Sequence, residues 1–353
     1  MKLQVQVSSM KDNYNRRIAN WLYIGAACII IQILLGGITR LTGSGLSITE
    51  WKPLLGSIPP LNESEWQASF DRYKQIAQFH LVNSHFTLED YKSIFFWEWF
   101  HRNWARLLGV IFVLPLTYFL ITKQISRTLV FPLIILLSLG LLQGVIGWIM
   151  VRSGLNDTDI RVNHIRLSIH FFTALILLCY TLWIAFSLSF RDIHMRHRVK
   201  YPMLNIIVLG FLCIQMVYGA FMAGTNAALA AITWPDMNGS FIPKAVRSRP
   251  VNLTSMTSDL LSIQFIHRNL AYLITILVII LYFRTYSWKI NKRLSMIRMM
   301  PLLLVTSQCM LGIITLVSSI HPDHKIYALL HQSTGIMLMA SLLLTQFMNM
   351  KRH

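Results

Sequence analysis

Eight long apolar runs mark the chain, at about 18–38, 98–122, 129–151, 164–190, 202–223, 263–283, 299–319 and 326–348. Each approaches the roughly 20 residues that a helix needs to cross a bilayer. The pattern predicts an all-α integral membrane protein with eight transmembrane helices. Two long polar segments interrupt the runs, 39–97 and 224–262, while the other connections are short. Residues 39–62 mix glycine turns with aromatic and aliphatic residues, passing through Trp51-Lys52-Pro53 to Pro59-Pro60. That mixture predicts a folded cap on the membrane face, and residues 234–243 read as its counterpart.

The runs also repeat. Gln32-x-x-x-Gly36 in the first run returns as Gln215-x-x-x-Gly219 in the fifth, and Gln143-x-x-x-Gly147 in the third returns as Gln308-x-x-x-Gly312 in the seventh. The even runs carry histidine, His101 with His170 and His267 with His331. The chain therefore reads as two tandem, same-direction four-helix repeats, an N-terminal half over 1–200 and a C-terminal half over 201–353. Taken singly, each Gln-Gly pair reads as helix packing through a small residue, although a glycine also lets a flat ligand approach.

Composition agrees with the runs. Hydrophobic residues make up 54% of the 353 positions and charged residues 13%, against about 25% charged in soluble domains. The formal charge of +18 would point to nucleic acid in a soluble protein; in a membrane protein it marks cytoplasmic loops, so no nucleic-acid partner is expected. Lys2, Lys11, Arg16 and Arg17 precede the first run. Lys123 and Arg127, then Arg191, Arg196, Arg198 and Lys200, then Arg284, Lys289, Lys292, Arg293 and Arg298, fill later loops on the same side, and Lys351 and Arg352 close the chain there. Only Asp12 and Asp192 among the acids share that face. Both termini are thus expected in the cytoplasm, with the long segments outside. The polar, basic first 17 residues and the long run after them read as an anchor rather than a cleavable signal. Cys28, Cys179, Cys213 and Cys309 all fall inside apolar runs and read as small hydrophobes, not as a zinc or disulfide framework.

Chemistry concentrates at Trp97-Glu98-Trp99-Phe100-His101-Arg102-Asn103-Trp104 and at its altered copy Ile263-Gln264-Phe265-Ile266-His267-Arg268-Asn269. His80, His85, His164, His194, His197, His321, His324 and His353 lie in loops or at run ends and read as interfacial. The other four histidines fall within the first two turns or so of their runs, at one expected depth near the outer face. Ionisable groups inside a membrane usually mark function. Two histidines facing each other in a bundle make a site for one metal. Without cysteine or a carboxylate cluster on those faces, bis-histidine haem suits them better than zinc or di-iron. One haem per half follows, and their common depth argues against electron transfer across the membrane. The halves differ at Glu98, whose counterpart is Gln264. A carboxylate moves protons or steadies positive charge and a glutamine does neither, so the N-terminal half is the candidate for chemistry. The alternative is a Glu98 merely solvated at the surface. Arg102 and Arg268 have the fork geometry for haem propionates, or else they snorkel to the interface.

These residues resemble a known family. Gly36-Gly37-Ile38-Thr39-Arg40-Leu41-Thr42-Gly43-Ser44-Gly45-Leu46-Ser47, Glu50-Trp51-Lys52-Pro53 and Gly56-Ser57-Ile58-Pro59-Pro60 are similar to the first outer loop of haem A synthases. Glu98-x-x-His101-Arg102 and the other three histidines match as well, and the resemblance spans all eight runs. The absence of loop cysteines resembles the proteobacterial and mitochondrial branch, and the short basic N-terminus implies a bacterial inner membrane. The resemblance implies oxidation of the C8 methyl group of haem O to a formyl group, giving haem A for cytochrome oxidase. It further implies haem b as cofactor between His267 and His331, with Arg268 beside them. The substrate haem O falls between His101 and His170, with Arg102 beside them and Glu98 as the catalytic residue. Pathway logic adds the haem O-producing farnesyltransferase as a partner, along with an unidentified redox partner and membrane lipid. Two rival readings stand beside this one: a b-type dihaem cytochrome relaying electrons, and a haem-handling transporter or chaperone.

Overall fold

The computed structural model describes residues 2–52, 55–190, 202–248, 250–286 and 292–350, without the side chains of 2–11, Leu55 and Pro202. The expectations placed on Pro53, Arg191, Asp192, His194, Arg196, His197, Arg198, Lys200, Lys289, Lys351, Arg352 and His353, and on the Lys2 and Lys11 side chains, lie outside the described residues.

Every regular element among the described residues is helical. In chain order they are α1 (Lys2–Leu41), α2 (Glu63–Tyr73), α3 (Leu88–Ile121), α4 (Arg127–Arg152), α5 (His164–Ser189), α6 (Pro202–Thr225), α7 (Lys244–Ser248), α8 (Leu253–Ser258), α9 (Leu260–Arg284), α10 (Lys292–Val317) and α11 (His324–Asn349). Eight of these, α1, α3, α4, α5, α6, α9, α10 and α11, are long and apolar enough to cross a membrane. Their outward faces carry large exposed apolar side chains such as Leu114, Phe131, Leu141, Leu303 and Met310. The chain is a multi-pass membrane protein.

Side-chain caps set where several helices begin. Asn62 accepts from the Glu65 N–H at the start of α2, Asn163 from the Ile165 and Arg166 N–H groups at the start of α5, and Asp259 from the Ser262 N–H at the start of α9. These acceptors satisfy orphan donors of the first turn. A capping box between Thr87 and Asp90 starts α3 at Leu88, ten residues before the apolar run. The run underestimates this helix because Glu89, Asp90 and Lys92 lower its hydropathy. The added turns carry Tyr91, Ile94 and Phe95 into the core of a cap, against Leu46, Phe70, Tyr73 and Ile76. The described residues of 39–97 therefore form a folded, largely helical cap that extends beyond the expected 39–62. Its counterpart over 224–262 holds a short 3-10 turn, α7 and α8, and buries Ala227, Ala231 and Met237.

In the membrane layer, α1 packs against α3 and α5, and α4 against α5. Likewise α6 packs against α9 and α11, and α10 against α9 and α11. Helices α1, α5, α6 and α11 meet in the middle, over a core that includes Ile33, Leu175, Leu178, Val208, Leu212 and Ile336. One difference stands out. Helices α9 and α10 pack together, whereas α3 and α4 scarcely touch.

Candidate functional site

A cavity of about 1560 Å³ is lined by residues of both halves, and His101, His170, His267 and His331 all face it. His170, His267 and His331 lie about two turns into α5, α9 and α11. His101 lies about three and a half turns into α3, deeper in its helix than expected, because α3 starts at Leu88.

Each of the four Gln-x-x-x-Gly motifs meets one of these histidines. A methyl group placed on Gly36 of α1 would stand 3.3 Å from His101 Nε2 of α3. One on Gly147 of α4 would stand 3.1 Å from His170 Cε1 of α5, and one on Gly219 of α6 would stand 3.5 Å from His267 Cε1 of α9. On Gly312 of α10 it would stand 2.9 Å from His331 Cε1 of α11. Gly36, Gly147 and Gly312 therefore make room for imidazole rings of neighbouring helices, and the packing expected of the motifs is packing against these histidines. Glutamines reach the same rings. Gln32 Nε2 lies 2.8 Å from His101 Nε2, Gln215 Nε2 3.4 Å from His267 Nε2, and Gln308 Nε2 3.3 Å from His331 Nε2. The Oε1 atoms of Gln32, Gln143, Gln215 and Gln308 are all buried without a hydrogen-bond partner. Buried amide oxygens are rarely left so, and these four gather around the cavity.

No group of three or more His, Cys, Asp or Glu side chains converges as a metal site among the described residues. The His267 and His331 rings stand 6.4 Å apart between centroids, at 74° to each other. Two imidazole nitrogens each about 2 Å from one metal, with ring centres about 1 Å further back, place the centroids roughly 6 Å apart. His331 Nδ1 lies 3.1 Å from the Gln308 carbonyl oxygen. Donation there puts the proton on Nδ1 and turns the Nε2 lone pair to the Gln308 amide, which an iron bound at Nε2 would displace. His267 and His331 are thus spaced so that they would hold one metal ion between them. His101 and His170 lie within electrostatic reach of one another in the other half.

Glu98 is 2% exposed, which overturns the reading of a carboxylate solvated at the surface. Its Oε2 accepts from Ser47 Oγ at 2.8 Å and from the Ile48 N–H at 2.9 Å, and its Oε1 lies 2.6 Å from Arg102 Nη2. No hydrogen bond joins Glu98 to His101 among the described residues, although both line the cavity. Arg102 also donates to the carbonyls of Ile48 and Glu50. Its guanidinium thus clamps the loop that carries Ile48 and Glu50, at the edge of the cavity. The second half repeats the clamp with opposite polarity. Gln264 donates through Nε2 to the Ala231 carbonyl at 2.7 Å, and Arg268 donates to the carbonyls of Ala231 and Asp236, both at 2.8 Å. A carboxylate faces two donors in one loop, and an amide faces a carbonyl in the other. Hydrogen bonds from the Thr233 hydroxyl and the Gly239 N–H, with Arg268 nearby, hold the Asp236 carboxyl below the usual carboxylate range. In the cap, burial pushes the Tyr73 hydroxyl up to about 12, so it stays neutral.

Several residues of the site escape sequence reasoning. Ser47 lies within the loop motif, but its bond to Glu98 spans 51 positions. Arg40 binds Asn226 of the second outer segment, and Gln332 donates to the Ile33 carbonyl across the middle of the molecule. For Arg40 a signal exists, since it lies four residues after Gly36 and so on the same face of α1.

Comparison with known proteins agrees with this arrangement. A curated protein of Flavobacterium johnsoniae named Heme A synthase is 36% identical over 340 residues, covering 94% of this chain and 97% of its own length. Its namesake in Novosphingobium aromaticivorans is 37% identical over 334 residues, 92% of each chain. The Rhizobium etli protein of the same name is 39% identical over 331 residues, 92% of this chain and 88% of its own. Residues 19–343 match the COX15-CtaA family, described as cytochrome oxidase assembly protein. With a family match over most of its length and relatives 36–39% identical across both chains, this chain belongs to the COX15-CtaA family.

Proposed function

We propose that the protein is a haem A synthase, an oxidoreductase that converts the C8 methyl group of haem O to a formyl group by two successive oxidations. The observation that carries this reading is the single cavity faced by four histidines, each seated against the glycine of its own Gln-x-x-x-Gly motif. The names of the full-length relatives support the same activity. The product haem A would serve cytochrome oxidase.

The two halves take different parts. His267 and His331 would hold haem b, which would supply one-electron redox chemistry when bound. His101 and His170 face the substrate, haem O. Glu98 keeps a buried negative charge at the edge of the same cavity. The Ser47 hydroxyl and Ile48 N–H hold its Oε2, and Arg102 holds its Oε1. So fixed, the carboxylate steadies positive charge developing on the substrate or passes a proton through Ser47 Oγ. Arg102 positions the first outer loop, and Arg268 positions the second while its buried, unpaired Nε lies at the cavity beside haem b.

The matching Gln, Gly and His contacts support tandem four-helix halves, 1–200 and 201–353. The loosely packed α3 and α4 offer the substrate's farnesyl tail a lateral way in from lipid. Charge bias supports a bacterial inner membrane location with cytoplasmic termini. The haem O-producing farnesyltransferase and a redox partner complete the expected company.

The test is conversion. Expressed in cells that make haem O but not haem A, the protein should cause haem A to appear in the membranes. Membranes that keep haem O unchanged would refute the activity.

A further inference from the structure

The cavity carries an unbalanced charge. Among the described residues only two carboxylates line it, Glu50 and Glu98, and both are engaged: Glu50 with Lys52 and Arg72, Glu98 with Arg102. Arg40 and Arg161 line it too. Neither forms an ion pair with an acidic group among the described residues. The Arg40 side chain binds only the Asn226 amide oxygen, and the Arg161 side chain makes no hydrogen bond. The two positive charges lie within Coulombic reach of one another. Arg40 is half-buried and Arg161 exposed, so water screens their repulsion only in part and an anion between them would relieve the rest.

Position narrows the anion. Arg40 is one helical turn outward from Gly36, which seats His101, so it stands about 6 Å nearer the outer face along α1. A flat macrocycle centred at His101 presents its rim acids at that level. The second half lacks the feature, because Ala223 occupies the corresponding position after Gly219. The Arg40 charge therefore has no counterpart at the matching position of the second half.

We propose that Arg40 and Arg161 form a carboxylate site that anchors a propionate of the substrate haem and so sets its orientation between His101 and His170. This inference rests on the proposed function. Arg40 comes from the end of α1 and Arg161 from the loop before α5, so the anchor closes across the mouth of the N-terminal half. A guanidinium fork matches a carboxylate with two parallel hydrogen bonds. The site replaces Arg102 as the propionate partner in that half, since Arg102 is committed to Glu98 and the loop.

The test compares haem O with its dimethyl ester, whose rim carries no charge. Absorption titration of the purified full-chain holoprotein in neutral phosphatidylcholine nanodiscs should show about tenfold or greater preference for the free acid. Arg40→Gln and Arg161→Gln should each weaken binding of the acid and leave binding of the ester unchanged. Arg161 is exposed and hydrogen-bonds nothing, so its variant folds even if the Arg40 variant does not. Equal affinity of the wild type for acid and ester, or variants that keep the preference, would overturn the anchor. A preference abolished by adding phosphatidylglycerol, with the ester unaffected by it, would assign the arginines to lipid phosphate instead and also overturn it. If the wild type binds neither ligand, the haem O reading itself fails, and the anchor with it.

Discussion

Glu98 and Arg102 stand one helical turn apart on α3 with Oε1 and Nη2 at 2.6 Å, and together they clamp the first outer loop. Their side chains are 3% and 21% exposed, so the pair is largely withdrawn from water. Removing one partner of such a pair strands the other charge, at a cost of about 3–5 kcal/mol. Arg102→Met should therefore lower the thermal midpoint and open residues 42–52 to protease. An unchanged digestion pattern would show that the clamp is not structural.

Glu98→Gln separates the clamp from the chemistry. The amide keeps an acceptor for Ser47 and Ile48 but loses the charge. We expect this variant to fold, to retain its histidine-bound haems and to make little haem A, as read by chromatography of extracted haems. Near-normal haem A would remove Glu98 from the chemistry. The reverse exchange, Gln264→Glu, puts a carboxylate against the Ala231 carbonyl. It should destabilise the second outer segment by about 1–3 kcal/mol without creating activity.

The glycines make a graded prediction. At Gly312 an added methyl would stand 2.9 Å from His331, and at Gly147 3.1 Å from His170, so alanine there must displace a ring. At Gly219 the distance is 3.5 Å, an ordinary contact. Gly312→Ala should lose most of the haem held by His267 and His331, while Gly219→Ala keeps it. Pyridine haemochrome content of the purified variants decides the matter.

Acid should loosen the second outer loop. The Asp236 carboxyl is held below its ordinary range, chiefly by the Thr233 hydroxyl and then by the Gly239 N–H. A depressed carboxylate contributes stability above its unfolded pKa and loses it as the pH falls through the folded one. Amide exchange over 233–240 should thus stay slow at neutral pH and quicken only below the usual carboxylate range. Asp236→Asn should flatten that dependence.

Much of this architecture was legible in the sequence, and the omissions have physical causes. Apolar runs located all eight membrane helices, because lipid demands some 20 apolar residues whatever the tertiary fold. They missed the first ten residues of α3, whose polar outer face masks a helix that the Thr87-x-x-Asp90 box announces. The four histidines and four Gln-Gly motifs could be counted, but not matched to each other. Which glycine backs which ring depends on how neighbouring helices are rotated, and no single helix encodes that. Glu98 shows the same limit, since its environment comes from Ser47 and Ile48, about 50 positions earlier. Arg40 and Arg161 were invisible as a pair, being separated by two membrane helices and the whole cap.

The central claim is that two unlike haem sites share one cavity. The direct test is identification, by chromatography and mass, of the haems extracted from protein purified from cells supplied with haem O. The account predicts haem b together with haem O, its hydroxylated form or haem A. Haem b alone would contradict it and leave an electron-carrying cytochrome in its place.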